Sequence, residues 1–396
     1  MPTNNRILIS GAGIAGLTLA HWLARFGFRP TLVERAPGLR TGGNGVDLRD
    51  QAIEVAERMG IMEQVRAAAT DILGIRFVNA EDRDVARIDT RVDDGVEIMR
   101  GDLLALLDEA AGSGVERVFG DSVTALRQSG DGVDATFEHG PARRFDLVIG
   151  ADGMHSTVRR LAFGPESRFL QYKGHYFAFA DADAALGEDR WVTMYNLPGR
   201  MAGIYRSGNH AQAKAYFIFR SDEPISYDHR DPDQHRRVIG DAFAADSSWR
   251  TGELLAAALA DPEFYFDSLS QVRMESWSTG RVALVGDAAY CASPASGAGA
   301  ELALVGAYRL AGELAAAGGD HGLAFRRYQQ GHRPRVEEKQ QIGVNIRLMV
   351  PGTRSARWVR NTLVRLPLMR IMAAAERRIG PTGSRRPLPA YPAPCA

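Results

Sequence analysis

The sequence predicts an α/β fold in which a discontinuous nucleotide-binding domain is interrupted by an inserted antiparallel β-sheet and followed by a C-terminal helical segment. Three observations support this. Apolar, strand-like runs lead into glycine-containing turns and then into helical spacing at three separated places: "RILISGAGIAG", "FDLVIGADG" and "VALVGDAA". The first of these places glycines at 11, 13 and 16 in the pattern G-x-G-x-x-G, which opens a Rossmann-like βαβ unit. Between the second and third lie alternating, aromatic-rich runs that read as strands of a half-buried sheet.

Length and composition set the limits. A chain of 396 residues suggests two domains or one large elaborated one. The 48 basic and 48 acidic residues cancel, so no global charge draws the protein to nucleic acid. Two cysteines, Cys291 and Cys395, are too few for a disulfide framework, and Cys291 reads as a packing residue. The start "MPTNNRILIS" has no basic and apolar leader, and no apolar run approaches the roughly 20 residues that span a bilayer. A cytoplasmic location is expected. None of the nine histidines has metal-ligand spacing, so no metal is expected.

In chain order, Gly11 permits a tight turn, Gly13 lets a pyrophosphate approach the backbone, and Gly16 lets helix and strand pack closely. The helix "LTLAHWLARFG" follows, and its first amides face the phosphates. "RPTLVER" is the second strand. It ends at Glu34, 18 residues beyond Gly16, where an acid can bind ribose hydroxyls. This unit alone does not separate NAD from FAD. The second corner carries Gly150, Asp152 and Gly153 before a helix with Arg159; the third carries Asp287, then Pro294, Gly297 and Gly299 before another helix. A carboxylate at a strand end accepts hydroxyl hydrogen bonds, and a glycine-rich helix start offers amides.

The ordered set "GAGIAG…VER", "GADGMHSTVR" and "VALVGDAAYCASPASGAG" resembles the FAD-dependent aromatic hydroxylases of the para-hydroxybenzoate hydroxylase type, the single-component class A flavoprotein monooxygenases. The resemblance covers nearly the whole chain and implies the discontinuous GR2-type FAD domain. It implies that Gly11, Gly13, Ala15, Gly16, Glu34 and Arg35 hold the ADP part of FAD. Asp152 would touch both FAD and a transient NADPH, Asp287 the ribityl chain, and Gly297, Gly299 and Ala300 the ring. "IMRGDLLALL" is similar to the family helix whose arginine, here Arg100, contacts FAD. "VERAPGLRTGGNGVDLRD" resembles tetracycline-hydroxylating members, which places Arg40 near NADPH and Asp47 on FAD. A local similarity to the same members places Arg200 beside the flavin and Tyr216 against substrate as the catalytic-site residues. Glu301 and Gly306 depart from the family pattern, and Glu301 sets a negative charge near the flavin site.

These matches give an organisation: residues 1–70, 98–170 and 272–321 form the FAD domain, 71–97 and 171–271 the substrate sheet, 322–380 C-terminal helices, and 381–396 an extended tail. The basic stretch from Arg354 to Arg378 is expected to pack across both domains rather than to lie on a membrane. The resemblance implies a monooxygenase that takes FAD, NADPH (or NADH) and molecular oxygen, and hydroxylates an aromatic or polyketide-like small molecule through a flavin hydroperoxide, as a monomer or homodimer. The alternatives are a Baeyer-Villiger or epoxidising enzyme on the same scaffold, or a flavin-bearing protein that binds a drug or pigment without turnover. No second complete dinucleotide motif is present, so NADPH is expected to bind transiently.

Overall fold

A computed structural model describes residues 3–89, 95–341, 350–353 and 387–391. Its first layer is a six-stranded sheet in the order Ser278–Thr279, Val282–Leu284, Leu147–Gly150, Arg6–Ser10, Arg29–Glu34 and Glu116–Phe119. Every pairing is parallel except the first hairpin. Strand Arg6–Ser10 is central, and Ile7, Leu8 and Ile9 are fully buried, as a strand covered on both faces requires. All three glycine corners therefore leave the same edge of the sheet, because their strands run parallel and end together.

Helices Ile14–Arg25 and Gly299–Ala316 pack against each other, and helix His321–Gln340 packs on the second of them. A three-stranded meander, Val123–Gln128, Val133–Phe137 and Arg143–Phe145, flanks this layer.

The second layer is a seven-stranded sheet: Tyr265–Val272, Leu170–Ala182, Ala213–Arg220, Arg200–Arg206, Trp191–Leu197, Gly74–Val78 and Asp84–Asp89. It is not wholly antiparallel. Gly74–Val78 pairs parallel with Trp191–Leu197, because these strands come from different excursions of the chain and no hairpin dictates their direction. One face carries Tyr176, Phe217, Phe219 and Phe266 against helices Pro232–Phe243 and Thr251–Ala260. The first of these helices starts at Asp231, whose carboxylate accepts the amides of Asp233 and Gln234 at 3.0 and 3.1 Å, with Pro232 preset for the first turn. The other face carries Phe177, Phe179, Met194, Met201 and Ile218, and packs toward Ala295 of the third glycine loop.

Among the described residues no helix is long and apolar enough to cross a membrane. The arginine-rich stretch 354–378 lies outside the described residues. Of the tail, residues 387–391 are extended and docked: Leu388 is buried, and Tyr391 fills the hollow over Gly312 and donates to Glu313 at 2.9 Å.

Candidate active site

The first turn is shaped by contacts that only glycine allows. Gly11 has φ +106°, and a Cβ there would lie 2.6 Å from the Ala151 carbonyl oxygen; at Gly16 it would lie 1.9 Å from the Gly11 carbonyl oxygen. Gly13 differs, because a Cβ would meet no protein atom within 4 Å. It starts a 12-residue helix whose first amides have no side-chain cap. An open backbone and free amides at a helix start form a cradle for a diphosphate. Glu34 closes its far side, accepting the amides of Ala12 at 2.8 Å and Ala36 at 2.9 Å.

The second and third corners meet this one. Gly11 abuts Asp152, and a Cβ on Gly286, next to Asp287, would stand 2.8 Å from Ala15 Cβ. Arg159, fully buried, donates to the carbonyl oxygens of Ala288 at 3.0 Å and Met154 at 2.5 Å, tying the second motif to the third. Asp152 is turned to its own loop: it accepts the Ser156 hydroxyl and the Val158 amide, capping helix Thr157–Phe163. Burial pushes the Asp287 carboxyl up, against the opposing influence of Cys291 and Arg100. Burial likewise lowers Arg100, which feels Tyr265, Arg40, Asp287 and Glu34. One half-buried cation thus feels both the acid of the first motif and the acid of the third.

The loop after the third corner has the same open character. Gly297 has φ +64° and faces Asp47, whose Oδ2 would lie 3.7 Å from a Cβ; Gly299 and Ala300 begin an 18-residue helix with no side-chain cap, and a Cβ on Gly299 would meet nothing within 4 Å. These groups fit FAD: a diphosphate cradle, an acid for ribose, an acid on the connecting chain, and free amides where an electron-rich ring edge would lie. At the outer end Arg35 is lowered by burial and then by the charges of Arg230 and Arg40.

The departures at Glu301 and Gly306 have structural causes. Glu301, 3% exposed, accepts Arg335 and, at 3.3 Å, Lys339 of helix His321–Gln340. Its charge is neutralised from the C-terminal side. Gly306 makes room for neighbours: a Cβ there would stand 2.0 Å from the Tyr290 hydroxyl and 3.1 Å from His332 Nε2. His332 is fully buried and pushed down to about 3, by burial and then by Arg309 and Arg335, so it is neutral.

Over the loop lies the inward face of the second sheet. Tyr265, Phe179, Tyr216, Gly203, Met194 and Phe77 form one cross-strand row in consecutive register. Tyr265 stacks on Phe179 with ring centroids 4.8 Å apart and planes at 17°, and Tyr216 follows at 6.0 Å. Tyr216 therefore stands on the face toward the loop. Arg200 does not join it. Arg200 pairs with Phe219 and alternates with Ala202 and Ile204 onto the helix-backed face, because residues two apart share a side of a strand. The sequence reading missed Tyr265, although its spacing from Asp267 in a strand puts both on one side.

His155, inside the second motif, is a second group that sequence reasoning passed over. Its Nε2 lies 3.1 Å from Asp267 Oδ1, its Nδ1 3.0 and 3.1 Å from the Glu166 oxygens, and its ring stacks on His229 at 4.4 Å. Burial alone would depress this imidazole, but the hydrogen bonds to Asp267 and Glu166 outweigh it and raise it to about 9. Among the described residues no group of three or more histidines, cysteines and carboxylates is placed to hold a metal ion.

The chain is similar to known proteins along most of its length. Residues 4–338 match the family described as FAD binding domain. A flavin-dependent monooxygenase of Legionella longbeachae is 38% identical over 349 residues, covering 87% of this chain and 89% of its own. The FAD-dependent monooxygenase asL4 of Sarocladium schorii is 34% identical over 336 residues, covering 81% and 78%. The crystal structure of tetracycline destructase Tet(51) superposes with a TM-score of 0.82 at 38% identity, covering 91% of this chain and 95% of that one. The chain belongs to the FAD-binding-domain family and is an FAD-dependent monooxygenase.

Proposed function

We propose that this FAD-dependent monooxygenase hydroxylates a flat aromatic or polyketide-like molecule laid on the row Tyr265–Phe179–Tyr216. The observation that carries the reading is the register itself: three rings from three adjacent strands stand side by side on the face that packs toward the Pro294–Ser296 loop. Such a row provides apolar, quadrupole-bearing area for stacking a planar guest. Two similar proteins act on substrates of this kind, the tetracycline destructase and, at the level of fold alone, an aklavinone-11 hydroxylase.

Bound FAD would supply the activation of oxygen and the delivery of one oxygen atom to the substrate. The chain supplies placement. Gly11, Gly13, Ala15 and Gly16 would cradle the diphosphate, Glu34 the adenosine ribose, Asp287 the ribityl hydroxyls, and Gly297, Gly299 and Ala300 the ring edge, with Arg100 and Asp47 beside it. Arg35 would hold the ADP part of FAD, and Arg40, whose charge reaches it together with that of Arg230, would meet the phosphates of a transient NADPH. The aromatic face, with Phe179 buried and Tyr216 and Tyr265 half-buried, would help keep water from the reacting atoms. Glu301, paired with Arg335 and Lys339, would leave no uncompensated charge beside the ring.

The test is NADPH oxidation in air by the yellow holoenzyme with phenolic polyketides, followed by mass spectrometry. The expected result is substrate-stimulated oxidation and a product heavier by one oxygen atom. NADPH consumption with no oxygen incorporated into any aromatic compound would refute the reading.

A further inference from the structure

Tyr265 sits at the end of the aromatic row, and its bonding pattern is fixed. Its hydroxyl donates to Asp267 Oδ2 at 3.1 Å. The other oxygen of Asp267 is held from three sides. It accepts the Ser268 amide at 2.7 Å, the Tyr227 hydroxyl at 3.1 Å and His155 Nε2 at 3.1 Å. His155 is itself held by Glu166, and Glu166 by Arg159 at 3.0 Å. Asp267 is 5% exposed, so none of these partners exchanges freely for water.

A phenol has one proton to give. In Tyr265 that proton is committed to Asp267, so toward the loop the oxygen can only accept. Burial, and then the Asp267 charge, holds the Tyr265 hydroxyl well above its ordinary value, so the proton stays in place. Stacking on Phe179 fixes the ring, and Arg100 and Asp287 lie within its electrostatic reach.

We infer that Tyr265 is a specificity-determining residue whose hydroxyl oxygen accepts a hydrogen bond from a phenolic or enolic hydroxyl of the substrate, held in that acceptor role by the positioning residues Asp267, His155 and Glu166. The inference rests on the reading of the aromatic row as the substrate floor. It adds a chemical requirement, since a flat guest must present a hydroxyl at the Tyr265 end. An O-methylated guest of the same shape has no proton to offer and leaves the Tyr265 oxygen unpaired.

The experiment uses the FAD-loaded full chain and two probes, 1-naphthol and 1-methoxynaphthalene, whose dissociation constants are read by isothermal titration. In the native protein naphthol should bind about tenfold more tightly than its ether, the size expected of one buried hydrogen bond. Tyr265→Phe should bring that ratio close to one. Asp267→Asn makes the sharper prediction. Its amide oxygen must face Ser268, Tyr227 and His155, all donors, which turns the NH2 group toward Tyr265. The tyrosine then accepts from the amide and its proton is released to the loop side, so the preference should reverse in favour of the ether. A merely structural role for Asp267 would weaken both probes equally. An undiminished ratio in Tyr265→Phe, an unreversed one in Asp267→Asn with the flavin spectrum intact, or no binding of either probe by the native holoenzyme overturns the inference. No turnover is involved, so an enzyme that oxygenates aromatics yet fails here refutes Tyr265 and leaves the hydroxylase reading standing.

Discussion

Replacing His155 by glutamine should remove a stabilisation that exists only below a definite pH. The imidazole bridges the loop after strand Leu147–Gly150 to strand Tyr265–Val272, so it joins the two layers. Its protonation is favoured in the folded state, where it titrates at about 9, over the unfolded chain, where the ordinary value is 6.5. At about 1.4 kcal/mol per pH unit the difference amounts to about 3 kcal/mol of stability. A group raised on folding contributes fully below its unfolded value, progressively less through the interval, and nothing above its folded value. The Glu166 carboxyl, whose burial is outweighed by His155 and which is held low, stays ionised across this range. Urea unfolding of the holoprotein, followed by tryptophan fluorescence at about pH 6 and about pH 9.5, reads the effect. The gap between native protein and His155→Gln should be large at the lower pH and nearly closed at the higher. An equal gap at both would show that the histidine acts by packing, and would refute a charged bridge.

Gly16→Ala should yield colourless or insoluble protein, since the new methyl would overlap the Gly11 carbonyl oxygen at 1.9 Å; the ratio of flavin to protein absorbance checks it. Glu301→Ala should cost about 1 kcal/mol by taking from Lys339 its carboxylate and leaving Arg335 only Asp50, while the flavin spectrum of the surviving protein is unchanged. A bleached or shifted spectrum would put Glu301 on the cofactor instead. Arg40→Ala should raise the KM for NADPH on the order of tenfold with FAD content intact, as loss of one charge-assisted phosphate contact implies; loss of FAD with no change in KM would move Arg40 to the other nucleotide.

The glycine corners were legible in the sequence because each is local. A strand, a turn that tolerates positive φ and a helix start follow one another within about a dozen residues, and the physics of a close backbone approach admits only glycine. The aromatic face was legible only as composition. Which aromatics share a side depends on register between strands far apart in the chain, and that is why Tyr216 and Tyr265 align on Phe179 while Arg200 falls behind the sheet. His155 stood within a recognised motif, yet its partners at 166 and 267 come together only when the two layers close. The helix at Pro232–Phe243 was the avoidable miss, because "DPDQ" already carries its cap.

The row along the sheet is not uniform. Beyond Tyr216 it passes through Gly203 to Met194, with Met201 on the same side, so rigid stacked rings give way to a glycine notch bordered by pliable thioethers. The notch itself is not adjustable, since a Cβ at Gly203 would lie 2.9 Å from the Thr193 carbonyl oxygen. Were the row the proposed substrate floor, one half would set how a guest is tilted, while the other would tolerate what hangs from its rim. On that proposal, methionine exchanges alone would widen the range of guests in a descendant enzyme, with the ring position set by the rigid half unchanged.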